Sequence, residues 1–453
     1  MKIVILGAGQ VGSSVAESLA SEQNDLTVVD LEPKRLRALQ DRLDLRTVAG
    51  SASHPSVLVD AGIDDADLLI AVTQSDETNL VACRLAARMF NVPRRIARIR
   101  ATDYLANEKV LGDEGFDVDL SICPEQILTD YIVKLVEFPE ALQVLDFAGG
   151  KVSLVAVRAF AGGPLVGRQL KDLRARDARI VAIFRGDRSI MPDGEAIIEA
   201  GDEVFCLAAS GHIREVMREL RRMDQPVRRV MIAGGGNIGL RLARALEQEY
   251  SVRIIEHNGR RCEVLAARLS KALVLTGDTT DEELLEDEGI ADMDLFVAVT
   301  NDDENNIMSS LLAKRMGARR VVALINRRSY VDLLQAGEID IAISPAQATI
   351  GTLLAHVRRG DVVAVHSLRR GAAEALEAVA HGDRASSRIT DRRVDEIDLP
   401  LGTTIGAVVR GDEVIMAHHD THIQAEDHVI VFVMDKRTLP RVEKLFQVSA
   451  RFL

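Results

Sequence analysis

Residues 2–12 read KIVILGAGQVG, and residues 229–239 read RVMIAGGGNIG. In the first stretch the short apolar run Lys2 to Leu6 suits a strand buried on both faces of a parallel sheet. It passes directly into Gly7-x-Gly9-x-x-Gly12. Val11, Val15 and Leu19 follow at the i, i+4, i+8 spacing of a buried helix face. The next apolar run, Leu26 to Asp30 (LTVVD), ends in a carboxylate 18 residues beyond Gly12 (30 − 12). The second stretch repeats the layout. Arg229 to Ala233 is the strand, Gly234, Gly236 and Gly239 are the glycines, and Val252 to Glu256 (VRIIE) ends 17 residues beyond Gly239 (256 − 239).

Each part has a physical role. The first glycine permits a tight turn, the second lets backbone approach a pyrophosphate, and the third lets the helix pack close to the strand. Free amides at the helix start then hold the anion. An acid at the end of the second strand accepts hydrogen bonds from ribose hydroxyls and repels a 2′-phosphate. Asp30 and Glu256 thus favour NAD(H) or an adenine nucleotide over NADP. A single glycine motif is weak evidence, but strand, glycines and acid occur here together and twice. For the second copy, glycines that only permit helix–strand packing remain the alternative.

The repetition extends along the chain. The glycine motifs are offset by 227 (234 − 7), and Gly50 returns as Gly277 at that offset. AGIDDADLLIAVT (residues 61–73) aligns with EGIADMDLFVAVT (residues 288–300), identical at eight of thirteen positions, where average composition gives about one. Later, Ala182 to Asp187 (AIFRGD) matches Ala407 to Asp412 (AVVRGD), offset by 225. Each half thus holds a longer N-terminal piece and a shorter C-terminal piece. The expected domains are 1–138, 139–226, 227–359 and 360–453, with seams near Pro139, Pro226 and Gly360. The expected fold is α/β: two Rossmann-like, doubly wound parallel-sheet domains, each followed by a small α+β domain.

Asp67 to Thr73 and Asp294 to Thr300 read as the fourth strand of each sheet. Thr73, Gln74, Thr300 and Asn301 then lie at its carboxyl end, the ligand side of an open α/β sheet. Arg95 to Arg100 (RIARIR) reads as the fifth strand. Arg98 and Arg100 project one way, where a guanidinium would reach a phosphate; a solvated edge face is the alternative. In the second copy Leu324 replaces Arg98 and Asn326 replaces Arg100. That site is therefore expected to lack a cation and to bind a different ligand, or the same one more weakly. Apolar helices, Ile127 to Val136 and Ile350 to Val357, follow Pro124 and Pro345.

In the shorter pieces Val152–Val157, Ile180–Phe184, Glu203–Ala208, Thr404–Val409 and His428–Val433 read as strands. Turns at Arg185-Gly-Asp187 and Arg410-Gly-Asp412 make hairpins, and His212–Met223 and Lys436–Phe446 read as closing helices. His418, His419, His422 and His428 raise a metal question, but a polar turn explains them without one. No catalytic residues are expected. Four residues after Tyr131 stands Leu135, not Lys, and no Ser/His/Asp set, HExxH or Walker lysine occurs.

Of 453 residues, 47% are hydrophobic and 28% charged, as in soluble globular domains. The formal charge of −13 opposes a broad nucleic-acid surface, so no nucleic-acid partner is expected. The isolated Cys83, Cys123, Cys206 and Cys262 form no CxxC pair, which fits a reducing cytoplasm. The opening apolar run is shorter than a secretory signal requires, and no stretch approaches about eighteen apolar residues. A soluble protein that works at a membrane only as a peripheral partner is expected.

The order of pieces, with KIVILGAGQVG, Asp30, DLLIAVT, RIARIR and SICPEQ (residues 121–126), resembles the tandem RCK-domain family of bacterial Trk potassium-uptake subunits over the whole length. The longer pieces are similar to its RCK N-terminal domain and the shorter ones to its C-terminal domain. The resemblance implies a non-enzymatic, peripheral cytoplasmic regulatory subunit at the inner face of the membrane. It implies binding of NAD(H) and ATP/ADP, and a homo-oligomeric ring, a tetramer, that gates potassium flow through a membrane-spanning Trk subunit. It carries the first nucleotide site onto Gly7, Ala8, Gly9, Gln10, Val11, Asp30, Thr73, Gln74 and Arg98, with Gly12 completing the turn. The second falls on Gly234, Gly235, Gly236, Asn237, Ile238 and Glu256, with Gly239, Thr300 and Asn301. An NAD-dependent oxidoreductase is the alternative function, and a nucleotide-sensing transcription regulator a third.

Overall fold

The computed structural model describes residues 1–20, 24–175, 177–186, 188–190, 192–220, 226–327, 330, 339–357, 362–369 and 372–448. These fall into two compact units that cut across chain order. One gathers Met1–Asp130 with Val230–Leu353, the other Tyr131–Arg229 with Leu354–Leu453. The chain passes between units inside the helices Pro124–Glu137 and Pro345–Val357.

The first unit holds two six-stranded sheets of identical order. In chain order the strands of the first copy are Lys2–Leu6, Asp25–Asp30, Arg46–Ala49, Leu68–Ala71, Arg94–Arg98 and Leu120–Ile122. They pair in parallel in the order third, second, first, fourth, fifth, sixth. The second copy, from Arg229–Ala233 to Ile341–Ile343, has the same order. This is the doubly wound arrangement, whose ligand crevice opens where the first and fourth strands adjoin. Both fourth strands are buried throughout, as helices on both faces require. Val11, Val15 and Leu19 are buried along the helix Gln10–Ala20, as their spacing demands.

The fifth strand is shorter than its sequence suggests. It ends at Arg98, because the amides of Arg100 and Ala101 leave the ladder and donate to Asp76 Oδ2, each at 2.8 Å. In the second copy the strand ends at Leu324, and Asn326 and Arg327 donate to Asp303 at 2.8 Å. Asp76 and Asp303 each open a thirteen-residue helix, capped by Ser75 and Asp302.

The second unit contains two five-stranded antiparallel sheets, one from each half. Their inner faces share one core. Phe147, Leu154, Phe184, Phe205 and Leu207 of one sheet cluster with Leu368, Ala375, Val409, Ile430 and Phe432 of the other. Polar staples cross the same boundary: Ala148 N donates to Glu377 at 2.8 Å, and Lys151 Nζ donates to Asp412 at 2.7 Å. Within each sheet an arginine forks onto a buried aspartate through Nε and Nη2. These matched pairs are Arg185 with Asp202 and Arg410 with Asp427.

Three strands here, Ala141–Phe147, Val362–Leu368 and Ala373–Val379, carry no clear strand pattern in the sequence. The hairpin strands Thr403–Arg410 and Glu413–Met416 pair as expected; Asp187 of the matching turn lies outside the described residues. The helix expected over His212–Met223 spans Ile213–Leu220, and residues 221–223 lie outside the described ones. The helix expected over Lys436–Phe446 is instead a 3-10 turn, Lys436–Thr438, followed by an α-helix, Leu439–Glu443. Pro440 cannot donate in a continuous helix, so the helix restarts there.

Phe432 is 1% exposed at the centre of the shared core. Phe432→Ala should destabilise the full chain by about 3–5 kcal/mol, whereas Leu401→Ala on the surface should change it by less than about 0.5 kcal/mol. Thermal or denaturant unfolding of the second unit measures both. Equal, small effects would mean that the sheets are not joined through this core.

Candidate functional site

Both glycine turns adopt the same geometry. Gly7 and Gly234 have φ of +106° and +110°, values that side chains disfavour. A Cβ on Gly12 would lie 1.8 Å from Gly7 O, and one on Gly239 would lie 1.9 Å from Gly234 O. A Cβ on Gly9 or Gly236 would meet nothing within 4 Å. The turn is thus closed on its helix side and open on its outer side, the shape a pyrophosphate needs. The helix Asn237–Leu246 has no side-chain cap, which leaves its first amides for an anion. Gln10 and Asn237 are exposed at the helix starts, Val11 is buried and Ile238 half-buried. Their backbone, more than their side chains, faces the turn.

The acids reach back to the turns. Asp30 Oδ2 accepts from Ala8 N at 2.6 Å, and Oδ1 accepts from Glu32 N at 2.8 Å. Glu256 repeats this with a longer side chain, accepting from Gly235 N at 2.8 Å and Asn258 N at 2.9 Å. A carboxylate has about four lone-pair sites, so both retain capacity for ribose hydroxyls. Asp30 is half-buried and Glu256 buried, so the second acid is less open to a ligand.

The fourth strands, Leu68–Ala71 and Leu295–Ala298, are shorter than read and end two residues before Thr73 and Thr300, which still lie at the carboxyl end but have engaged hydroxyls. Thr73 Oγ1 donates to Asn79 Oδ1 at 2.7 Å, and Asn79 Nδ2 donates to Arg98 O at 2.8 Å. Thr300, Asn306 and Leu324 O repeat the bridge at 2.7 and 2.9 Å. The fully buried Asn79 and Asn306 therefore tie the ends of two strands together at the ligand crevice. Their repetition in Asp76-Glu-Thr-Asn79 and Asp303-Glu-Asn-Asn306 was the signal for this role. Gln74 and Asn301 are exposed beside them.

Two expectations about arginines need correction. Arg100 does not project with Arg98 toward a phosphate: its guanidinium donates to Gln74 O and contacts Asp76 at 3.5 Å. The second site does not lack a cation. Arg261, five residues beyond Glu256, donates from Nε to Gly235 O at 2.6 Å. Its signal in the sequence was its place in the first turn of the helix after the acid, which the comparison of fifth strands ignored.

Arg98 lies at the first site, where its Nη2 pairs with Glu125 at 2.8 Å and its buried Nε has no hydrogen-bond partner. Glu125 stands in the first turn of the helix Pro124–Glu137. Its neighbour Gln126 accepts from Arg241 Nη1 at 2.8 Å, while Arg241 Nη2 donates to Arg100 O at 2.9 Å. Arg241 belongs to the helix that follows the second glycine turn. One helical turn therefore touches a rim residue of the first site and the leading helix of the second. In the second copy Leu324 and Ala346 replace both members of the Arg98–Glu125 pair, and both are buried.

Of the histidines, His428 lies 2.6 Å from Glu377 through Nδ1, and no group among the described residues could hold a metal ion. No described helix is long and apolar enough to cross a membrane.

Two family models match the chain. The TrkA-N domain covers residues 3–122 and 230–345, and the TrkA-C domain covers residues 154–221 and 384–447. The Trk system potassium uptake protein TrkA of Halomonas elongata is 59% identical over 456 residues, spanning 100% of both chains. That of Vibrio alginolyticus is 57% identical over 458 residues, again spanning 100% of both. The homolog from Archaeoglobus fulgidus is 32% identical over 450 residues, or 99% of this chain and 100% of that one. Among solved structures, a GsuK channel bound to NAD matches with a TM-score of 0.62 at 17% identity, covering 98% of this chain and 78% of that one. The GsuK RCK domain matches with a TM-score of 0.62 at 18% identity, covering 98% and 94%. These structures share the fold. With both domain models matched twice and 59% identity across the whole length, the chain belongs to the family of Trk system potassium uptake proteins TrkA.

Proposed function

We propose that the chain is the nucleotide-sensing regulatory subunit of a Trk-type potassium uptake system. NAD(H) and ATP or ADP occupy the two glycine turns, and their occupancy sets potassium flow through a membrane-spanning partner. The protein acts from the cytoplasmic face as a homo-oligomeric ring of four copies, with domain seams near residues 138, 226 and 359. The observation that carries this reading is the doubled geometry: an open outer side at Gly9 and Gly236, with an acid reaching each turn. The NAD bound to the GsuK channel, which shares this fold, supports the ligand class. Full-length relatives named for potassium uptake leave the oxidoreductase alternative without support.

The convergence of Arg98, Glu125, Gln126 and Arg241 supplies a route for regulation. A phosphate that takes up Arg98 competes with Glu125 for one guanidinium; both bonds are charge-assisted, so the extra negative charge of a terminal phosphate is what tips the exchange. The first turn of Pro124–Glu137 is then released from one site while Arg241 still holds it to the helix of the other. A ligand shifts such an equilibrium only through its different affinities for the two arrangements. Glu125 supplies that difference.

Reconstitution with the membrane-spanning subunit tests the function. Potassium or rubidium flux into proteoliposomes should change several-fold between ATP and ADP or NADH, and flux indifferent to every nucleotide would contradict the proposal. At the first site, Asp30→Ala in a Glu256→Ala background should weaken NADH binding by about 1–3 kcal/mol in isothermal titration. Unchanged affinity would remove Asp30 from the ribose contact.

A further inference from the structure

The two turns differ in which group occupies the carbonyl at their centre. In the first copy Ser13 Oγ donates to Ala8 O at 3.0 Å. Ser13 aligns with Leu240 (13 + 227), which cannot donate, and Gly235 O is taken instead by Arg261 Nε at 2.6 Å. Arg35, five residues beyond Asp30 as Arg261 is beyond Glu256, is exposed. The exchange of Ser for Leu thus goes with an arginine drawn onto the second turn.

Arg261 is held at both ends of its residue. Its amide donates to Asn258 Oδ1 at 3.2 Å, the cap of the helix Gly259–Arg268, and its Nε holds Gly235 O. No carboxylate pairs with its Nη nitrogens among the described residues, and Glu256 turns both oxygens to backbone amides and His257. A guanidinium fixed by Nε to a neutral carbonyl presents its two Nη nitrogens as a fork suited to phosphate. Gly236, next in the chain to the carbonyl that Arg261 holds, has an open side, and the helix it precedes has no side-chain cap.

We infer that Arg261 is a phosphate ligand of the second site and tilts that site toward adenine nucleotides ending in a phosphomonoester over the dinucleotide NAD(H). The inference rests on the reading of the second glycine turn as a nucleotide site. Near neutral pH a terminal phosphomonoester carries close to two negative charges, whereas each phosphate of a dinucleotide bridge carries one. A lone arginine at the turn therefore favours the former. Glu256 excludes a 2′-phosphate, so Arg261 serves the 5′ side of the nucleotide. The first site has no arginine on its turn, where Ser13 holds Ala8 O, and its Arg98 is shared with Glu125.

The test uses the full chain with Asp30→Ala and Arg98→Ala, which weaken the first site, titrated with ADP and with NADH. Adding Arg261→Gln should raise the ADP dissociation constant about tenfold and the NADH constant less than about threefold, and should reduce the salt dependence of ADP binding. Arg261→Lys, which keeps the charge but loses the fork, should fall between. Equal weakening of both ligands would mark Arg261 as a staple of the turn and overturn the inference, as would no weakening of ADP; either result leaves the nucleotide reading standing. If the background protein binds neither ligand while remaining folded, the nucleotide reading of the second turn falls, and this inference falls with it.

Discussion

Gly12 and Gly239 stand so close to the carbonyls of Gly7 and Gly234 that no side chain fits between them. That contact fixes where each helix begins over the end of its first strand, and much follows from it. It aims the first helical amides into the crevice between the first and fourth strands, where an α/β sheet of this order binds ligands. It also brings the amides of Ala8 and Gly235 within reach of the acids on the second strands. Backbone packing thus builds the cradle before any charged side chain contributes.

The parallel sheets were legible because both physical signals coincided. Buried strands without alternation lead into glycines and then a 3.6-residue period, and the tandem copy removed chance as an explanation. The smaller sheets were harder to read. Residues 373–379 (AEALEAV) consist of helix-favouring residues, yet they form a strand hydrogen-bonded on both sides. Tertiary pairing overrides propensity there, and the two buried glutamates are satisfied: Glu374 lies 3.2 Å from Lys436, and Glu377 meets His428 and Ala148 N. The shared core was equally hidden, since the two sheets that build it come from opposite halves of the chain.

At the candidate sites the turn geometry of the glycines and the reach of the acids onto it followed from their spacing. Arg100 was misplaced and Arg261 went unnoticed, because strand periodicity does not reveal a competing carboxylate or a free carbonyl. Asp76 draws Arg100 away, and Leu240 leaves Gly235 O open to Arg261. The copies differ in matched sets: one has Arg98 with Glu125 where the other has Leu324 with Ala346, and one has Ser13 on the turn carbonyl where the other has Leu240 and Arg261. Two turns of one design thus carry their arginines at different places.

The central claim is that both cradles hold nucleotides. Native mass spectrometry of the full chain, with ADP and NADH supplied together, measures this most directly. The account predicts two nucleotides per chain at saturation, with the ligand concentration that fills one of the two raised at least several-fold when Asp30 or Glu256 is replaced by alanine. One nucleotide per chain at saturation, or filling unchanged in the double variant, would contradict it.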